Sequence, residues 1–310
     1  MKLEFKNIKK VFGQKTALNN ISFTVKSGHA FGLLGRNGAG KTTTIRILMN
    51  VFKSTSGEIY VDDKPINYQT VSFGYLPEER GLYPKEKIFD QLIYFATLKG
   101  MSKKDAIKSV SYWLDFLNMT EYKDKRLDTL SKGNQQKIQL ISSIAHDPDI
   151  VVFDEPFSGL DPVNAKLLEN VVKEQVKQNK IVIFSSHQMN YIEEFCDDIL
   201  ILKNGEIMIS GNIKKIKQSY QRDKLLISSK DEKQILDTFP EQAEKDNFGN
   251  IILHLKKPED KQKMMQKLIK EYDIDSIGIM EPTLNDIFVE YAGDEKEIAE
   301  IKQSESNERA

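Results

Sequence analysis

Apolar and polar positions change their period several times along this 310-residue chain, and each change predicts an element. Alternation over Leu3–Ile8 and again over Ile21–Val25, on either side of Gly13-Gln14, predicts two or three short strands forming an antiparallel edge. The run Ala30–Leu34 is apolar throughout, as a strand buried on both faces would be, and Thr44–Met49 is compatible with a helix. Gly57–Val61 and Phe73–Leu76 read as further strands. From Ile88 to about Ile144 the period is helical, with Leu92, Phe95, Ala96 and Leu98 on one face and Val110, Trp113, Leu114 and Leu117 on another, both expected in the core. Within that region Ser131 is placed as the N-cap of a helix. Ile150–Phe153 and Ile181–Phe184 are two more buried-strand runs, separated by a helix over Val163–Gln178.

Asn204-Gly205 lies at the centre of a hairpin spanning Ile199–Ile209. The lysine-rich Asn212–Lys217 reads as a solvated helix face. From Asp223 the pattern shifts to short strands and amphipathic helices (Leu225–Ile227, Ile251–Leu255, Met264–Ile269, Ile277–Ile279, Thr283–Tyr291), the mark of a small α+β domain. The expected organisation is a domain over 1–222 with a helical subdomain at about 87–145, an accessory domain over 223–293, and a charged, apolar-poor, disordered tail over 294–310. No internal repeat is present.

Composition narrows the function classes. A formal net charge of −1 argues against a nucleic-acid binder. No apolar run approaches the roughly 20 residues that span a bilayer, and Met1–Glu4 does not begin a signal peptide, so a cytosolic chain is expected. The single cysteine, Cys196, excludes an internal disulfide and fits a small buried residue on the apolar side of Asn190–Cys196.

The chemistry centres on Gly35-Arg36-Asn37-Gly38-Ala39-Gly40-Lys41-Thr42-Thr43, which has the spacing of a phosphate loop between a strand and a helix. Gly35, Gly38 and Gly40 let the backbone take positive φ and turn its N–H groups toward phosphates at a helix N-terminus. Lys41 would reach the β- and γ-phosphates of ATP, and the Thr42 hydroxyl would ligate Mg²⁺. The fold expected is therefore α/β: a P-loop NTPase core with a mostly parallel sheet, an antiparallel β subdomain and the helical subdomain.

Ligands of such sheets sit at the carboxyl ends of the strands, where Ile150–Phe153 delivers Asp154 and Glu155. Asp154 is a candidate Mg²⁺ ligand and Glu155 a candidate base to polarise attacking water. His187 ends the Ile181–Phe184 run in the same manner, and it fits either a functional group or an ordinary histidine. Phe12, just before the turn ahead of the phosphate-loop strand, fits either a core aromatic or one that stacks on adenine.

Taken in order, the phosphate loop, Leu130-Ser131-Lys132-Gly133-Asn134-Gln135, Asp154-Glu155, Ser158-Gly159-Leu160-Asp161 and His187 resemble the nucleotide-binding subunit of ATP-binding-cassette (ABC) transporters over residues 3 to about 215. The resemblance makes Phe12 the adenine-stacking aromatic and His187 the switch residue at the γ-phosphate. It makes Ser131 and Gly133 the segment that closes on ATP held by a second copy, because the family works as a head-to-tail dimer with two ATPs between protomers. Asp161 joins the nucleotide site on the same basis. It also implies a separate multi-span membrane permease, with this chain peripheral on the inner face of the membrane.

Two positions depart from the family pattern. Leu-Ser-Gly-Gly-Gln is the usual signature, and here Lys132 and Asn134 occupy its third and fifth places while Ser131 and Gly133 are kept. After Tyr75-Leu76-Pro77 the family usually has glutamine, and Glu78 stands there instead, an additional carboxylate near the nucleotide and metal. Tyr75–Pro84 and the ending Glu281–Phe288 look like the exporter branch that includes bacterial sodium-extrusion ATPase subunits, whose relatives also export drugs, peptides and lipids. The expected function is an ATPase driving export through a permease. The rivals are a regulatory ATP-binding module on a membrane partner and a soluble cassette of translation or DNA repair, which typically has two cassettes or long coiled-coil insertions.

Overall fold

The computed structural model describes residues 1–78, 81–157, 162–220, 223–246 and 248–292, the side chains of 162 and 163 excepted. Asp161 and the tail expected over 294–310 lie outside the described residues. The chain divides into two compact units, Met1–Gly211 and Asn212–Ala310, so the segment following Gly211 groups with the C-terminal unit, ahead of the 222/223 division read from sequence.

In the first unit β1 (Lys2–Phe12) and β2 (Lys15–Lys26) pair antiparallel about the Gly13-Gln14 turn, from Phe12↔Lys15 to Lys2↔Lys26. They are two long strands, where the alternation had suggested shorter ones. The breaks in period are register shifts within one ladder, the first at Asn7, which has φ 52°. β3 (Ala30–Gly35) then runs through the glycine-rich loop into α1 (Lys41–Leu48). β4 (Ser56–Val61) and β5 (Lys64–Pro65) extend the first sheet to the order β2-β1-β4-β5.

Next come β6 (Phe73–Leu76), then α2 (Ile88–Leu98), α3 (Lys103–Phe116) and α4 (Lys132–Ile144). Val110, Trp113, Leu114 and Leu117 are buried as expected, but Leu98 is 67% exposed. The buried face of α2 is Ile88, Gln91, Leu92 and Ala96, and Leu98 falls about 200° round the helix from Ala96. Ser131 does cap α4, its hydroxyl accepting the Asn134 N–H at 3.3 Å.

β7 (Ile150–Asp154), α5 (Pro162–Lys177), β8 (Ile181–Ser186), α6 (Met189–Phe195), β9 (Asp198–Lys203) and β10 (Glu206–Asn212) complete the unit. The second sheet has the order β10-β9-β3-β8-β7-β6, with β9, β3, β8, β7 and β6 running parallel to one another. Every residue of β3, β7 and β8 is buried, which is why these strands are apolar without alternation. Parallel pairing puts the carboxyl ends of these three strands at one edge of the sheet, where the loop after β3 begins.

The second unit comprises α7 (Ile213–Ser219), β11 (Lys224–Ser229), α8 (Glu232–Thr238), β12 (Ala243–Lys245), β13 (Ile251–His254), α9 (Lys261–Glu271), β14 (Ile274–Ile279) and α10 (Leu284–Ala292). Its sheet has the order β12-β13-β11-β14 with all pairings antiparallel, a split β-α-β built on its own core of Leu225, Ile227, Ile235, Ile251, Leu253 and Leu268. The sequence pattern had not revealed α8 or β12, which are only seven and three residues long. Among the described residues no helix is long and apolar enough to cross a membrane.

Gly74 lets β6 approach α4, since a Cβ there would lie 2.1 Å from the Ser143 carbonyl oxygen and 2.9 Å from Pro148 Cγ. Gly74→Ala should cost about 1–3 kcal/mol of stability, the usual penalty for overpacking. Gly81→Ala, where a Cβ meets nothing within 4 Å, should stay within about 0.5 kcal/mol. Urea denaturation of the three proteins checks the contrast.

Candidate functional site

The loop after β3 takes its shape from glycine. Gly38 and Gly40 have φ 83° and 116°, and a Cβ on Gly40 would meet Leu18 Cδ2 at 2.7 Å. Arg36, Asn37 and Gly38 form an exposed rim, Ala39 and Gly40 are buried, and Thr42 is exposed with Thr43 half-buried on the first turn of α1. Lys41 opens that helix yet is only 7% exposed. Its ammonium donates to the Gly35 carbonyl at 2.6 Å and lies 3.9 Å from Glu155 Oε1. Burial pushes the Lys41 pKa below its ordinary value, while Glu155, Asp154 and Glu78 oppose that shift by their negative charge.

Asp154, the last residue of β7, is buried. The Tyr75 hydroxyl of β6 donates to its Oδ2 at 3.1 Å, and the phenol is pushed up to about 12 by burial and by the Asp154 charge. Glu155 follows in left-handed backbone, φ 49°; the other non-glycine residues of positive φ among those described are all asparagine or aspartate. For glutamate that conformation costs about 1–2 kcal/mol. It is held by the Glu155 N–H, which donates to the Ser185 carbonyl at 2.8 Å, carrying the chain back toward β8.

The Glu155 carboxylate is thereby fixed from three sides. Ser186 donates its hydroxyl to Oε2 at 3.2 Å, His187 Nδ1 lies 2.9 Å from Oε1, and Lys41 stands beyond. Ser186 Oγ itself accepts the Gln188 N–H at 3.0 Å, so its orientation is set by backbone. The His187 ring is more than half exposed, whereas Glu155 is 8% exposed. A carboxylate held this way can accept a proton from a water on its open side. Tyr75 and Ser186 were not singled out from the sequence; the signal in each was a hydroxyl within or at the end of an otherwise apolar strand.

Lys41, Asp154, Glu155 and His187 are thus brought together, with Glu78 exposed on the loop after β6 and close enough for its charge to act on Lys41 and Tyr75. Ser131 and Gly133 sit at the start of α4, where a Cβ on Gly133 would come within 2.9 Å of the Asn164 amide, and not among the Lys41–Glu155 contacts. Phe12 is not a core residue: it ends β1 with 47% exposure, its ring edge-to-face with Phe52 at 5.4 Å. Among the described residues no three His, Cys, Asp or Glu side chains are grouped to hold a metal. Thr42 and Asp154 still fit Mg²⁺, which takes one or two protein oxygens and completes its shell with phosphate and water. A groove of about 710 Å³ lined by Ser109, Tyr112, Trp113, Gln175 and Lys180 contains none of these residues.

The family model described as ABC transporter matches residues 18–158, and that of the ATP-binding protein DrrA1-3-like C-terminal domain matches 211–292. The uncharacterized ABC transporter ATP-binding protein YhaQ of Bacillus subtilis (strain 168) is 40% identical over 293 residues, covering 94% of this chain and 98% of the relative. The linearmycin resistance ATP-binding protein LnrL of the same organism is 34% identical over 213 residues, 67% of this chain and 68% of that protein. A solved structure of an ATP-binding subunit of an ABC transporter superposes with TM-score 0.65 and 26% identity, over 70% of this chain and 92% of the other.

Removing the hydroxyl that positions Glu155 tests the geometry. Ser186→Ala deletes a hydrogen bond to a charged group, so the rate of nucleotide hydrolysis should fall about tenfold or more. The KM for nucleotide should change little, because no phosphate ligand is lost. Steady-state ATPase kinetics reads both.

Proposed function

The chain belongs to the ATP-binding subunits of ABC transporters, and we propose that it hydrolyses ATP as a head-to-tail homodimer to drive export through a separate membrane permease. The observation that carries this reading is the convergence of Lys41, Asp154, Glu155 and His187 at one edge of the parallel sheet. Lys41 and the N–H groups of Gly38–Thr43 bind and orient the triphosphate. Thr42 and Asp154 are the residues to hold Mg²⁺, which when bound neutralises phosphate charge. Glu155 accepts the proton of the attacking water, and His187, on the same carboxylate, is placed to sense the γ-phosphate. Phe12 offers its exposed ring to adenine.

Ser131 and Gly133 lie away from this cluster, which accords with their serving ATP held by the second copy. Export rather than uptake is favoured by the DrrA-like C-terminal match and by the resistance function in the name of one relative. Neither bears on a sodium substrate. The permease side places the chain at the inner face of the membrane.

Glu155→Gln keeps the shape of the side chain and removes the base, and it should lower turnover by about 10²–10⁴. With ATP and Mg²⁺ the variant should accumulate as an ATP-loaded dimer on gel filtration; a monomer under those conditions contradicts the homodimer. Glu78→Gln removes a carboxylate whose charge reaches the Lys41 site. Attraction to a divalent cation should outweigh repulsion of a partly neutralised phosphate, so the Mg²⁺ concentration for half-maximal ATPase should rise with little change in the saturated rate. Superimposable Mg²⁺ titrations would remove Glu78 from the metal's surroundings.

A further inference from the structure

The exposed end of β1 carries more than the single aromatic ring of Phe12. Lys10 and Phe12 are two residues apart on the strand, so their side chains rise from the same face of the sheet. The Lys10 ammonium lies 4.9 Å from the centroid of Phe12 and 4.7 Å from that of Phe52, over both rings at once. It is fixed there by donating to the Lys53 carbonyl at 2.6 Å. The two phenyl rings meet at 88°, the edge-to-face arrangement aromatic pairs favour.

The loop that supplies Phe52 and Lys53 follows α1 and is tied to β1 along its length. Thr55 donates its N–H to the Lys9 carbonyl at 2.7 Å, and the Thr55 hydroxyl accepts the Val11 N–H at 3.0 Å. Asn50, at φ 55°, turns the chain out of the helix toward this contact. The helix that begins with the phosphate-binding Lys41 therefore ends in the loop that braces Phe12.

We infer that Lys10 and Phe52 are positioning residues for the nucleotide base, holding Phe12 as a one-sided stacking platform. The inference rests on the reading of Phe12 as the adenine-stacking residue. Lys10 covers one face of the Phe12 ring and Phe52 packs edge-to-face with it, while Phe12 stays 47% exposed, enough ring for a base to stack on the side away from Lys10. A cation on the covered face draws ring electron density away from the open one, which favours stacking of an electron-rich purine. Displacing Lys10 to stack on its side would break a hydrogen bond and two cation–π contacts, so the base is confined to one face and one orientation relative to the phosphate loop.

Calorimetric titration of the full chain with ATP and, separately, with inorganic tripolyphosphate tests this, because only ATP has a base. Phe12→Ala should weaken ATP binding about tenfold. Phe52→Leu and Lys10→Met should each weaken it about threefold, and Lys10→Arg, which keeps the cation, should restore it. Tripolyphosphate affinity should be unchanged in all four. ATP binding undiminished by both Phe52→Leu and Lys10→Met, with Phe12→Ala still impaired, would overturn the platform while leaving Phe12 as the base-stacking residue. An unaffected Phe12→Ala would remove the base reading itself, and with it the platform. Equal loss of ATP and tripolyphosphate in the Phe52 or Lys10 variants would mean a structural role only, and would also overturn the inference.

Discussion

A buried positive charge sets the terms for the phosphate-loop edge of the parallel sheet. The Lys41 ammonium is taken almost wholly out of water and has one carbonyl as a close partner, so it needs negative charge nearby. That charge comes from β7, two strands away in the sheet, through Asp154 and Glu155. The requirement constrains each neighbour. β8 must lie between β3 and β7 to bring the strand ends into reach, and the loop must turn through positive φ at Gly38 and Gly40, which glycine adopts without strain.

Glu155 shows what the site costs locally. Elsewhere among the described residues, positive φ is taken by glycine, asparagine or aspartate, residues that adopt it with little strain, and at Glu155 it falls on the residue proposed as the base. The left-handed turn aims the carboxylate back over β8, where Ser186, His187 and Lys41 receive it. A carboxylate held by a hydroxyl, an imidazole and an ammonium has few alternative rotamers, the pre-organisation that the proposed water activation requires.

The C-terminal unit follows different rules. Its sheet is antiparallel, its helices are short, and its apolar positions close a separate small core. Separate cores explain why the chemistry-bearing residues all fall in the first unit, and why the match to a DrrA-like C-terminal domain begins at residue 211, where that unit ends.

The sequence by itself determined the elements whose period is enforced by burial and the motifs whose backbone geometry only certain residues allow. Apolar runs ending in Asp154 and His187 suit strands buried on both faces, and the glycines of the phosphate loop mark a sharp turn between a strand and a helix. The family was legible for the same reason, in Lys41, Ser131, Asp154 and His187 taken together. Long-range relations were not legible, because periodicity describes one segment at a time. That Tyr75 reaches Asp154, that Ser186 orients Glu155, and that Lys10 and Phe52 close on Phe12 depend on strand order and on a loop returning to β1. Phe12 was equally compatible with core and surface until the fold placed it at an exposed strand end. Leu98, by contrast, was misplaced by helix geometry alone, because it stands about 200° round α2 from Ala96. Only the tertiary structure decides a case such as Phe12, since burial is a property of the partners that segments find.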